Sequence, residues 1–267
     1  MREPREEKLF EFLEGLYRKF NKREYIHSDP VGFLYRYDNV RDREVAALIA
    51  SSLAYGRVAQ INRSVSRVLA IFGANPSSFV VNVHEKEIRE MFSGFVHRFT
   101  TGEDVFLTIL GMRRAIEKYG SLEICFMKGL GKSGGELFPG LVSFCREINA
   151  PFCGKKNSLI PRVENKSSLK RLHLFLRWMA RRDEVDPGGW DRIDPRELVI
   201  PLDVHIHRIS SAFGFTSRKQ ADYRTAREVT LGFKKFSPSD PVKYDFVLAR
   251  MGILGEFDES FLINDKV

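Results

Sequence analysis

Two lysines and one aspartate carry the most specific chemistry in this chain. Lys166 and Lys170 lie in LIPRVENKSSLKRLHLFLRWM (Leu159–Met179), and Asp203 lies in IPLDVHIHRISSAFGF (Ile200–Phe215). A lysine amine attacks a sugar carbon only as the neutral amine, so it must be partly desolvated or placed beside another cation. A carboxylate facing it can stabilise an oxocarbenium-like charge and help move protons. Lys166 and Lys170 are four residues apart, so on a helix both point the same way. We rank Lys166 first as nucleophile, keep Lys170 as its rival, and assign Asp203 as the carboxylate. The plainer reading stands beside this one: a lysine at a helix start is ordinarily solvated, and an aspartate there is ordinarily only a cap.

These residues need two helix starts to position them. Pro161 and Asn165 break the approach to the first, and Ser167 or Ser168 is expected to cap a helix carrying Leu169, Leu172, Leu174, Phe175 and Trp178. Pro201 ends an extended approach to the second. Asp203 can then place its carboxylate over the free amides of a helix beginning at Val204, with Ile206, Ile209 and Phe213 as its buried stripe.

The two segments resemble the core of the helix-hairpin-helix DNA glycosylase superfamily, which includes endonuclease III, MutY and the archaeal 8-oxoguanine glycosylases. That superfamily has a hairpin L-P-G-V-G-x-K-T-A followed by V-D-T-H-x-x-R. Ile160–Ser167 lies over the first and Leu202–Arg208 over the second. The resemblance implies Lys166 as Schiff-base nucleophile and Asp203 as the essential carboxylate. Arg162 and Glu164 stand where the superfamily has glycines, whose bare backbone admits a DNA phosphate. The spacing from Lys166 to Asp203 is longer than in endonuclease III and is filled by the polar segment RRDEVDPGGWDRIDPREL. The chain is also similar to a bacterial and archaeal family with K-R-L-x-x-F-L-R-W-M and P-L-D-x-H-x-x-R blocks, whose signature includes Lys170, Arg171 and Trp178.

Composition narrows the partner. At 267 residues, 43% hydrophobic and 29% charged, the chain has the make-up of a globular protein, and its net charge of +8 favours a polyanion. No run approaches the ~18 apolar residues of a membrane span and no apolar signal core opens the sequence, so a cytoplasmic location is expected. Cys125, Cys145 and Cys153 are read as reduced thiols. With no cysteine after Cys153, a C-terminal four-cysteine iron–sulfur cluster is excluded by ligand count. The mechanism calls for no cofactor.

Along the chain, helices are predicted over Glu6–Phe20, Arg43–Tyr55 (with Asp42 as cap), Val58–Phe72, Glu85–Phe92, Glu103–Tyr119, Leu122–Lys128, Gly135–Ile148, Ala221–Phe236 and Val242–Glu256. LIASSLAYGRVAQ (Leu48–Gln60) resembles the superfamily's L-I-A-x-x-L-S-x-Q segment, whose glutamine fills the gap left by an extruded base. Gly56 falls at that position, leaving Tyr55, Arg57 or Gln60 as wedge or base reader. Gly131-Lys132-Ser133 lacks the earlier glycine of a phosphate loop and reads as a basic loop suited to DNA phosphate.

The expected fold is all-α. The resemblance implies a helix-hairpin-helix-like element and two lobes with the site between them: residues 1–55 and 151–267 as outer lobe, 56–150 as inserted lobe. The expected function is base excision with AP-lyase cleavage, on an oxidised purine such as 8-oxoguanine, acting as a monomer on double-stranded DNA with a damaged base or abasic site. Tyr55 and Trp178 are the expected base-pocket residues, with Arg57, Gln60, Lys132, Arg171, Arg177 and Lys234 on the DNA. Two other readings remain open. One is a glycosylase-like DNA-binding protein without catalysis. The other is a metal-dependent hydrolase using Asp203, His205 and His207, which requires Ile200–His207 to be a strand.

Overall fold

In the computed structural model, residues 3–131, 136–163 and 167–254 are described. Among them, helices α1 (Pro4–Phe20), α2 (Val40–Ser52), α3 (Val58–Phe72), α4 (Pro76–Asn82) and α5 (Glu85–Phe92) precede a small hairpin. Its strands, β1 (Val96–His97) and β2 (Thr100–Thr101), pair antiparallel with Val96 opposite Thr101. Then follow α6 (Gly102–Tyr119), α7 (Leu122–Leu130), α8 (Phe138–Asn149), α9 (Lys170–Ala180), α10 (Val204–Ala212), α11 (Tyr223–Lys234) and α12 (Asp245–Leu254). Short 3₁₀ turns fill Arg23–Ile26, Pro30–Arg36, Ala150–Phe152 and Pro195–Glu197. The chain is mostly helical, as its periodicity predicts, and buried apolar side chains from α1 to α12 form one contiguous cluster. No described helix is long and apolar enough to cross a membrane. Cys125, Cys145 and Cys153 form no disulfide with one another.

Helix α2 is the centre of this packing. It is buried on nearly every side from Asp42 to Ser52, and Ala46, Ala47 and Ala50 let its neighbours come close. It packs on α3, α4, α7, α9 and the Pro30–Arg36 turn, while α6 packs on α4, α5, α7 and α8. Gly111 marks the crossing of α6 and α8: a Cβ there would fall 2.0 Å from the Ile148 carbonyl oxygen, so only glycine fits. The α2 cap corrects the sequence expectation. Asn39 caps the helix through the Arg41 amide (2.8 Å), whereas buried Asp42 accepts from the Ser77 amide (2.8 Å) and hydroxyl (2.6 Å) at the start of α4. Glu44, also buried, accepts from the Leu122 and Glu123 amides at the start of α7 and from Trp190 Nε1 (2.9, 3.1 and 2.9 Å). Burial pushes its carboxyl up, and these donors and Arg41 pull against that.

The polar segment Arg181–Leu198 is not surface filler. Arg177 and Arg181, both buried, share Asp186: Arg177 Nη2 lies 3.1 Å from Oδ1, and Arg181 Nη1 donates to Oδ2. Arg177 also donates to Asp245, and Arg181 to Asp183 (2.8 Å) and Asp240 (2.9 Å). Two guanidinium groups therefore hold four carboxylates, tying α9, the following loop and the start of α12 into one knot.

Candidate active site

The two predicted helix starts meet. Asp203 opens α10 as its N-cap, and its Oδ1 accepts from the His205 and Ile206 amides, each at 2.9 Å. Its other oxygen, Oδ2, lies 3.0 Å from Lys170 Nζ. The second contact between the two starts is Ser168 Oγ, which donates to the Leu202 carbonyl at 2.9 Å. Neither Ser167 nor Ser168 caps α9. Leu169 occupies that position in the left-handed region (φ 54°), and its carbonyl receives the Leu172 and His173 amides. The turn that lifts the chain into α9 thus brings Lys170, its first residue, to Asp203.

The electrostatics of the pair follow from its partial burial. Burial alone would raise the Asp203 carboxyl, but Lys170 and the Ile206 amide outweigh it and hold the group below the usual aspartate range. Behind it, burial pushes Asp245 up to about 6 against the attraction of Arg177, and Asp203 adds to the rise. A carboxylate held below its usual range therefore faces an amine that opens to solvent, with a carboxyl of raised pKa beneath. This arrangement can hold an ammonium, donate its proton and stabilise a developing cation.

The structure sorts the remaining sequence candidates. Lys166 and Lys132 lie outside the described residues. Arg57 and Gln60 are exposed at the start of α3, and Tyr55 is half-buried just before it. Gly56 has a purpose other than gap filling. Its φ is +100°, and an added Cβ would meet the Arg98 side chain at 3.0 Å. Arg171 turns inward, donating to the Ser52 carbonyl (2.5 Å) and the Ser158 carbonyl (3.0 Å) with its guanidinium over the Tyr55 ring. Two assignments need correction. Arg177 is buried and saturated by Asp186 and Asp245, so it cannot reach a phosphate. Trp178 is fully buried in the core, so no face of its ring is open to a base. Lys234 donates to the Arg196 carbonyl (3.3 Å) and lines a cavity with Tyr223 and Arg227, not the one bounded by Arg171.

The hydrolase arrangement also fails on geometry. Val204–Ala212 is a helix, so His205 and His207 diverge by about 200°. His207 Nε2 instead meets the Arg218 carbonyl at 2.8 Å.

Sequence reading missed a neighbouring feature. A cavity of about 390 Å³ is lined by Phe99, Lys156, Asn157, Ser158, Arg162 and Arg171, among others. Its only sequence signal was the scatter of basic residues, because the strands that present Phe99 are two residues long and show no alternation. A larger cavity, about 1090 Å³, opens beside α10 among His207, Arg208, Arg218, Lys219 and Lys235 and contains neither Lys170 nor Asp203.

Residues 29–254 match the model of a family described as "Protein of unknown function (DUF2400)". That match spans most of the chain, which therefore belongs to this family. No curated protein and no solved structure matched the chain.

Proposed function

We propose that this DUF2400 member is a DNA base-excision glycosylase with AP-lyase activity, in which Lys170 is the nucleophile and Asp203 its carboxylate. The observation that carries the reading is the 3.0 Å approach of Lys170 Nζ to Asp203 Oδ2 at two adjoining helix starts. The net charge of +8 and the resemblance of the Leu159–Phe215 stretch to helix-hairpin-helix glycosylases support it. Asp203 was the expected carboxylate, and its partner among the described residues is Lys170. The site lies, on this reading, in a cleft between an inserted lobe near residues 56–150 and an outer lobe formed by the rest. An oxidised purine such as 8-oxoguanine is the substrate class that the resemblance brings.

In this mechanism the damaged nucleotide leaves the duplex and enters the cleft. The Lys170 ammonium gives a proton to the departing base, whose bond to C1′ breaks with the electron pair leaving on the base. Asp203 stabilises the resulting oxocarbenium, and the neutral amine forms the new bond to C1′. Ring opening gives the imine, and loss of the C2′ proton then expels the 3′ phosphate by β-elimination.

Borohydride trapping on duplexes carrying 8-oxoguanine or an abasic site tests the proposal. A covalent adduct is expected with wild type and with Lys166→Ala, and its loss with Lys170→Ala. Trapping on abasic DNA alone keeps the lyase and removes 8-oxoguanine as substrate. No adduct with wild type, while salt-sensitive DNA binding persists, overturns the lysine mechanism. It leaves a monofunctional enzyme or a non-catalytic DNA-binding protein.

A further inference from the structure

Among the phenylalanines, tyrosines and tryptophans of the described residues only Phe99 is exposed, at 62%; the others are buried or half-buried. It sits with Arg98 at the tip of the β1–β2 hairpin, where Arg98 takes a left-handed backbone conformation (φ 55°). The tip is exposed but its base is fixed. His97, fully buried, meets Ser64 Oγ at 2.9 Å and the Tyr55 carbonyl at 3.1 Å. Tyr55 Oη donates to the His97 carbonyl (3.0 Å) and lies 2.5 Å from Thr100 Oγ1, which is 2.7 Å from Ser158 Oγ. Polar contacts on both strands therefore present the ring rigidly to solvent.

The surroundings indicate what would cover that ring. Phe99 stacks on Tyr55 with ring centroids 4.8 Å apart and planes 17° from parallel, and Arg171 lies over the same Tyr55 ring. A flat π-system could extend this stack on the exposed side of Phe99. The adjoining cavity carries Lys156, Arg162 and Arg171, and among the described residues no carboxylate lines it. Arg171 has no acidic partner among the described residues: its guanidinium meets only two carbonyls, and burial draws its pKa down. An aromatic platform beside these cations fits a nucleotide, with the base on the ring and the phosphate on the cations. An apolar protein surface would leave those cations unmatched.

We propose that Phe99 is a stacking platform for an unpaired DNA base, with Lys156, Arg162 and Arg171 holding the adjacent phosphate. This rests on the reading that the chain binds DNA. Lys170 and Arg171 are consecutive, so their side chains leave α9 about 100° apart, one to Asp203 and one to Tyr55. A nucleotide extruded toward Lys170 thus leaves its former partner base, or its neighbour in the stack, next to Phe99.

The test is a duplex with a tetrahydrofuran abasic analogue opposite 2-aminopurine, compared with the same duplex fully paired. This analogue cannot form an imine, so it reports stacking independently of the trapping experiment. Wild type should quench 2-aminopurine and prefer the gapped duplex. Phe99→Ala should lose the quenching and about tenfold in affinity for that duplex alone, while Phe99→Tyr keeps both. Lys156→Ala and Arg162→Ala should each lower the slope of log affinity against log salt by about 1. Equal quenching and affinity in Phe99→Ala and wild type would overturn the platform, even where lysine trapping succeeds. Quenching that depends on Phe99 in a protein that forms no trapped adduct would keep the platform and remove the lysine mechanism. Equal binding of wild type to both duplexes without quenching also overturns it and turns attention to an apolar protein partner.

Discussion

Asp203 divides its two oxygens between two helices: Oδ1 caps α10, and Oδ2 meets Lys170 at the start of α9. One side chain thus serves both as a cap and as an ion-pair partner, and substitutions can separate the two. Asparagine preserves a cap where alanine does not. Asp203→Asn should abolish imine trapping at near-native stability, whereas Asp203→Ala should cost about 1 kcal/mol more in thermal or denaturant unfolding. Lys170→Met should let the Asp203 carboxyl rise toward its ordinary value, read by NMR titration. Because that carboxyl is depressed in the folded state, its stabilising effect is lost as pH falls through the folded value. The lysine variant should therefore unfold at higher pH on acidification than wild type.

Asp245 behaves in the opposite sense. Its folded value is raised to about 6, so the folded protein holds the proton more tightly than the unfolded chain does. Stability should fall as pH rises from about 4 to about 6, by on the order of 3 kcal/mol for this group alone. Asp245→Asn, which keeps the shape, should remove that dependence, so its stability relative to wild type climbs across the same window in urea titrations.

His173 is fully buried on α9, stacked on Tyr223, and neither ring nitrogen has a hydrogen-bond partner among the described residues. Burial depresses its pKa to about 3. The unfolded chain takes up a proton below about pH 6.5 while the folded chain stays neutral, so stability is lost as pH falls toward 3. His173→Phe should stabilise the protein, most strongly below pH 6, because an apolar ring removes two unsatisfied polar atoms. Thermal melts at pH 5 and pH 8 should show the larger gain at pH 5.

Gly56 sits at φ +100° against the Arg98 side chain. Gly56→Ala should destabilise by about 1–3 kcal/mol through backbone strain and displace the hairpin tip. Loss of 2-aminopurine quenching with Phe99 still present would be the accompanying signature.

Much of the fold was legible because helical period is a local signal. The Asp203 cap was legible too, since the proline, the aspartate and the apolar stripe after it are consecutive. What escaped was set by distant partners. Arg177 on α9 reads as a solvated charge until Asp186 and Asp245 are found beside it, nine and 68 residues away. Asp42 reads as the cap of its own helix, yet it serves Ser77, 35 residues on. Trp178 lies in the α9 segment singled out by its signature residues, and only packing shows that its ring faces the core. Phe99 was invisible because two-residue strands carry no pattern, and its exposure follows from how His97 and Thr100 are pinned.

The arginine–aspartate knot has a consequence for how the protein is made. Arg181 and Arg177 find partners 59 and 68 residues further along, at Asp240 and Asp245. During synthesis α9 leaves the ribosome before those aspartates do, so its buried charges can be fully matched only once Asp245 has emerged. A nascent chain that stops short of Asp240 is therefore expected to hold α9, and Lys170 with it, less firmly. The lysine–aspartate pair is then expected to settle only when α12 arrives with Asp245 to hold the Arg177 guanidinium.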